Sequence, residues 1–218
     1  MNKFFRIITF FMNPFRCLFC GVVCKTNAIA CDKCLSKVNP QPHFCLPPSA
    51  SRRNLTACMG AFPYHDPMIR RGFLRYKFDG YETAYPLFAK AMFGMDYAAA
   101  KEADVITAVP MDKVRQGVRG YNQSEHVGRE YARLLNKPYE ELLIKTKENQ
   151  VQSTISDNKA RAENVKDCYV VIDRSRVEGK RVLIVDDVYT TGATMKECAR
   201  MLKKAGAKMV VGAVICYA

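Results

Sequence analysis

Tryptophan is absent, and so are repeats, low-complexity tracts and any apolar run near the ~20 residues that a membrane-spanning helix needs. These absences exclude repeat architectures, disordered chains and helical membrane spans. Acidic residues are scarce: the 218 residues carry 34 Lys+Arg against 21 Asp+Glu, a net charge of +13. The shortage is steepest in residues 1–60, where Asp32 is the sole acid beside eight Lys and Arg. Such a bias suits a polyanion, nucleic acid or an anionic substrate, although a solubilising surface also accounts for it. What is present is enough for a core. Hydrophobic residues make up 49% and charged residues 25%, the balance of a folded, soluble globular protein.

The cysteines are clustered. Seven of ten fall at Cys17, Cys20, Cys24, Cys31, Cys34, Cys45 and Cys58, whereas Cys168, Cys198 and Cys216 sit among apolar residues as ordinary core thiols. A secreted disulfide protein would spread them along the chain. Lys3 and Arg6 beside Ile7–Met12 imitate a signal peptide, but Arg6 and Thr9 interrupt the apolar run and Pro14 follows it. Residues 3–12 are therefore expected to form a short amphipathic segment packed on the domain. The thiols are expected in a reducing cytoplasm, where clustered cysteines indicate a metal.

Residues 1–60 are expected to hold this apolar segment and a small cysteine module, and residues 61–218 the main domain. Residues 83–97 read as a helix, Asp104–Pro110 as a buried strand and Gln123–Leu135 as a helix. Glu141–Thr146 and Cys168–Ile172 read as short strands. Arg181–Asp187 and Lys208–Ile215 are continuous apolar strands of the parallel-sheet kind, with a helix over Met195–Ala205 between them. Strands alternating with helices predict an α/β domain with a largely parallel sheet flanked by helices.

Two motifs carry chemistry. Cys17-x-x-Cys20 and Cys31-x-x-Cys34 are two knuckles separated by ten residues. Together they supply four thiolates for a closed tetrahedral site, a structural Zn²⁺ with an iron–sulfur cluster as the minor alternative. Cys24 is a competing ligand, and Cys45 and Cys58 lack the partners of a second site. The second motif is Val182–Thr194, VLIVDDVYTTGAT. A buried strand is expected to end in Asp186 and Asp187. A loop with the hydroxyls of Thr190, Thr191 and Thr194 then leads into a helix at Met195. Gly192 lets the backbone approach closely, and loop amides plus a helix N-terminus make an anion cradle. The two carboxylates suit sugar hydroxyls or Mg²⁺ and its waters.

VLIVDDVYTTGAT resembles the phosphoribosyl pyrophosphate (PRPP) motif of type I phosphoribosyltransferases. The whole chain resembles the ComF family, in which a zinc ribbon precedes such a domain. Besides the CxxC pairs, the likeness runs through Phe62–Tyr64, Lys77-Phe78-x-Gly80, Val109-Pro110-Met111, Arg119-Gly120-Tyr121-Asn122-Gln123 and Asn164-Val165. The departure is at residues 45–58, where the family often has further CxxC pairs and this chain has only Cys45 and Cys58.

The resemblance implies roles. Asp186 and Asp187 would act in catalysis by binding the ribose hydroxyls and helping order Mg²⁺. Thr190, Thr191, Gly192, Ala193 and Thr194 would hold the 5′-phosphate. Val109, Pro110 and Met111 would form the pyrophosphate loop, with Arg115, Arg119 and the turn 120–123 covering the diphosphate. For the two arginines a solvated basic face is an equal reading. The polar segment 147–165 would be a lid over PRPP. No base-recognition element is legible, so the acceptor stays open. Two functions are expected: a phosphoribosyltransferase acting on PRPP and linked to DNA uptake and transformation, or a non-catalytic relative. The latter would bind single-stranded DNA or an uptake partner through the ribbon. Arg52, Arg53, Lys25, Lys33 and Lys37 are the candidate DNA contacts, with Phe19, His43 and Phe44 as stacking aromatics or, equally, as packing residues.

Overall fold

Strands apolar on both faces pair with one another because only a covered sheet hides them. In the computed structural model, β6 (Arg181–Tyr189) buries Val182, Leu183, Ile184 and Val185 completely, and β7 (Met209–Tyr217) buries every residue from Val210 to Cys216. Around them stand β1 (His43–Phe44), β2 (Cys58–Pro63) and β3 (Val105–Ala108) in the order β1-β2-β7-β6-β3. Only β1 is antiparallel. A separate antiparallel ladder joins β4 (Leu143–Lys145) to β5 (Tyr169–Val171). The structure describes residues 15–24, 28–45, 54–112, 114, 116–117, 120–147 and 158–218. The expected segment 3–12, Lys25, Arg52, Arg53, Arg115, Arg119 and residues 148–157 of the expected lid lie outside the described residues.

The helices follow from their caps. Introduced in chain order, they are α1 (Asp32–Leu35), α2 (Pro67–Phe78), α3 (Tyr85–Phe93), α4 (Ala98–Lys101), α5 (Gln123–Leu135), α6 (Asn158–Val165) and α7 (Ala193–Lys204). Helix α5 starts where the Asn122 side chain accepts from the Ser124 N–H and stops at Asn136 in the left-handed region. Helices α3, α5 and α7 pack on the sheet.

Contacts divide the chain into two compact units, residues 1–39 with 64–84, and residues 40–63 with 85–218. The cysteine unit is built on α2. Asp66 caps this helix by accepting from the N–H groups of Met68 and Ile69 at 2.8 and 2.9 Å, and Pro67 opens it. Helix α2 presents Gly72 to the first knuckle. A Cβ there would lie 2.4 Å from the Phe19 ring, so the bare backbone is what lets Phe19 seat fully buried. Arg75 then donates to the carbonyls of Cys17 at 3.0 Å and Leu18 at 3.3 Å, fixing the knuckle's backbone.

Several boundaries differ from the sequence expectation. The helix expected over residues 83–97 is found over Tyr85–Phe93 alone. Strand β6 continues to Tyr189 rather than ending at Asp187, because β7 pairs with it as far as Tyr189↔Tyr217. Helix α7 begins at Ala193, two residues before Met195. The expected division at residue 60 falls inside β2, whose residues from Cys58 to Pro63 pair with β7. Neither β2 nor α2 was expected, since neither contrasts strongly with its surroundings in the sequence.

Gly72→Ala places a methyl group inside the Phe19 ring position. The expected cost is about 1–3 kcal/mol, read as a lowered denaturation midpoint, with the sheet unit's far-ultraviolet signal retained.

Candidate functional site

The sheet exposes one strand tip. Strand β3 pairs with β6 only as far as Ala108↔Val185, whereas β7 pairs with β6 to its end. Asp186, Asp187 and Val188 therefore lie past the end of β3, half-buried, with no strand paired on that side of β6 among the described residues. Asp186 is oriented from two directions. Its Oδ1 accepts from the Ser124 hydroxyl at 2.9 Å and from the Asp187 N–H at 2.8 Å. Beyond Tyr189 the chain turns through exposed Thr190 and half-buried Thr191 to Gly192 at φ 72°. Glycine is required there twice over: the backbone is left-handed, and a Cβ would meet the Tyr189 ring at 2.3 Å. The Ala193 N–H is held by Thr191 Oγ1 at 3.3 Å, and Lys196 Nζ donates to the Thr191 carbonyl at 2.9 Å. Burial pulls the Lys196 ammonium below its ordinary pKa. A cation thus stands on the first turn of α7, where the helix N-terminus already favours an anion.

The loop after β3 faces the same strand end. Val109 donates its N–H to the Val185 carbonyl at 2.9 Å, and its carbonyl accepts from Asn122 Nδ2 at 3.0 Å. Asn122 therefore joins the cap of α5 to the start of the loop. Tyr121 stacks on His126 with centroids 5.2 Å apart.

In the cysteine unit, the sulfurs of Cys17, Cys20, Cys31 and Cys34 all lie within 4.8 Å of one another, and Cys20 and Cys31 Sγ are 3.8 Å apart. Four ligands 2.3 Å from a tetrahedral zinc have sulfur–sulfur edges of about 3.8 Å. The four-cysteine cluster is thus compatible in donors and spacing with a structural zinc site. Burial works to raise the Cys17 thiol, but backbone N–H donors from Cys20, Cys31 and Phe19 outweigh it and bring the pKa to about 6. Burial pushes Cys34 up to about 12. Cys24 stays outside the four, its thiol directed at the Val22 carbonyl at 3.8 Å. Cys45, just past β1, and Cys58, on β2, belong to the sheet unit as buried neighbours joined by the Cys45 N–H to Cys58 carbonyl bond at 2.7 Å.

Beside the cluster runs a cavity of about 580 Å³ lined by Phe19, Val22, Pro67, Met68 and ligand cysteines, with Lys33, Lys37 and Arg71 around it. These three cations have no ion-pair partner among the described residues. Of the expected stacking aromatics, Phe19 is buried against α2, His43 stacks on Tyr217 at 4.8 Å, and Phe44 is 51% exposed.

Residues 122–218 match the phosphoribosyl transferase domain family. Relatives along the chain include Competence protein F of Haemophilus influenzae, 30% identical over 50% of this chain and 48% of its own length. Competence protein ComFC of Streptococcus pneumoniae is 32% identical over 68% of this chain and 63% of its own. DNA utilization protein YhgH of Escherichia coli is 27% identical over 89% and 80%. The chain is similar to these competence and DNA utilization proteins, in agreement with its resemblance to the ComF family. It spans about half and under two thirds, respectively, of the two competence proteins it matches.

The domain has the α/β, type I phosphoribosyltransferase-like fold, and the expected phosphoribosyl-site residues among the described residues fall on three pieces of backbone. Asp186 and Asp187 are on β6, Thr190 to Thr194 run from the loop into α7, and Val109, Pro110 and Met111 follow β3. Sequence reading missed Ser124 and Lys196, and it placed Asn122 in the turn over the diphosphate without its bond to Val109. Asn122 and Ser124 had a visible signal, a cap-type residue opening a strongly periodic helix. The Ser124 to Asp186 bond spans 62 positions, and nothing local announces it. Among the described residues, no helix is long and apolar enough to cross a membrane.

Proposed function

We propose that this ComF-like chain binds PRPP with Mg²⁺ at the tip of β6 and acts as a phosphoribosyltransferase in DNA uptake. The observation that supports it most is the junction of an oriented Asp186–Asp187 pair with a Gly192-turned anion loop. In this reading Thr190, Thr191, Gly192, Ala193 and Thr194 hold the 5′-phosphate with the amides of α7's first turn, and Lys196 adds charge from behind the loop. Asp186 and Asp187 take the ribose hydroxyls, Asp186 kept in place by Ser124. Val109, Pro110 and Met111 lie along the diphosphate, with Arg115 and Arg119 as its covering cations. Mg²⁺ suits the paired carboxylates, as hard oxygen donors, and when bound would neutralise the leaving diphosphate. Displacement at the anomeric carbon passes through a cation-like transition state. The residues named contribute by fixing the sugar and phosphates while the carbon–oxygen bond to pyrophosphate breaks. The four thiolates of Cys17, Cys20, Cys31 and Cys34 would hold Zn²⁺ as a closed structural site, in keeping with a reducing cytoplasm.

A second reading is supported by the cavity of the cysteine unit. Lys33, Lys37 and Arg71 set unpaired charge around an apolar floor, which suits the backbone of single-stranded DNA. Buried Phe19 argues against base stacking on that ring. The two readings are compatible, and the relatives named for competence and DNA utilization support both.

The PRPP reading is tested by thermal shift. At PRPP about a hundredfold above Kd with Mg²⁺, binding should add about 2.7 kcal/mol to wild-type stability. Asp186→Asn with Asp187→Asn should abolish the shift; an equal shift in both proteins refutes the site. For zinc, elemental analysis of reduced protein should give one metal ion per chain, lost in Cys31→Ser together with the order of the cysteine unit. For DNA, Lys37→Glu with Arg71→Glu should weaken single-strand binding and flatten the salt slope by about 1.4, from ~0.7 per contact. An unchanged slope would remove the cavity from consideration.

A further inference from the structure

The loop Val109–Met111 has no charged side chain, so it can reach a diphosphate only through its backbone. Val109's N–H is committed to Val185, and proline has none. The amide of Met111 is what the loop has to offer, and its position decides the loop's use. One end of the loop is fixed by the two bonds of Val109 to Val185 and Asn122. The other end, Asp112, is buried, and its Oδ2 meets Lys145 Nζ at 3.3 Å, with side-chain exposures of 4% for Lys145 and 9% for Asp112.

Lys145 is itself held firmly. It closes β4, pairs with Tyr169, and is followed by the Thr146 N–H bond to Cys168 at 2.9 Å. The ladder is tied back to β3. The Leu142 N–H reaches Thr107 Oγ1 at 3.3 Å, and the Glu140 N–H reaches the Ile106 carbonyl at 2.9 Å. A buried ion pair is a poor device for stability, because desolvating both charges offsets most of their attraction and an apolar pair does as well. It does, however, fix a geometry. A lysine buried to this degree and bonded to the Asp112 carboxylate acts on an anion through the loop it holds, as a positioning group rather than a ligand.

We propose that Asp112 and Lys145 are a positioning pair that sets the loop after β3 for the diphosphate end of the ligand, an inference that rests on the phosphoribosyl reading above. The experiment titrates full-length protein with two probes, magnesium pyrophosphate and ribose 5-phosphate, and records thermal midpoints. The double variant Asp112→Asn with Lys145→Met removes both charges of the pair together. It should melt close to wild type, lose about tenfold or more in pyrophosphate affinity, and bind ribose 5-phosphate unchanged. Lys145→Arg, which keeps the charge, should retain most of the pyrophosphate affinity. Unchanged affinity for both probes in the double variant overturns the proposal. A parallel fall in both affinities also overturns it, by making the pair merely structural. Wild-type protein that binds neither probe removes the phosphoribosyl reading, and this inference with it.

Discussion

Strand β6 outlasts one neighbour but not the other, and the site depends on that difference. On one side β7 holds it through Tyr189, and on the other β3 releases it after Val185. A strand held on a single side keeps its geometry while freeing its other side from strand pairing. Asp186 and Asp187 are thus placed as firmly as sheet residues at a strand end that is only half-buried. The Ser124 hydroxyl, arriving from the start of α5, uses the gap that β3 leaves.

The cysteine unit solves a different problem. It is too small to fold on apolar burial alone. What helps besides the four thiols is the close approach of Phe19 to Gly72 and the Arg75 bonds to the knuckle carbonyls. The knuckle is therefore seated on a helix 50 residues further along the chain, a contact that CxxC spacing does not hint at.

Much of the fold was legible because its strands are buried on both faces. Arg181–Asp187 and Lys208–Ile215 are continuous apolar runs, and α5 matches the periodic segment Gln123–Leu135 at both ends. The illegible parts are those decided across the chain. The carboxylates of Asp186 and Asp187 look like a strand end, and only pairing with β7 carries the strand on to Tyr189. Cys58 looked like a member of the cysteine cluster, yet it lies in β2 against Gly212. For the site, the residue types of the Asp186–Thr194 segment pointed to one loop. The groups that orient it, Ser124 on Asp186 and Lys196 on Thr191, act through contacts that the motif's own residues do not reveal.

The chain passes between its two units three times, at residues 39–40, 63–64 and 84–85. Neither unit is therefore a contiguous stretch that can be cut away. Trimming at residue 60 removes β1 and half of β2, and it strips β7 of the partner that pairs with Gly212 to Val214. That stretch of the central strand would then become an unpaired, apolar edge, the kind of surface along which proteins stack on one another. A linear order of modules along the sequence is thus a poor guide to where this molecule can be divided.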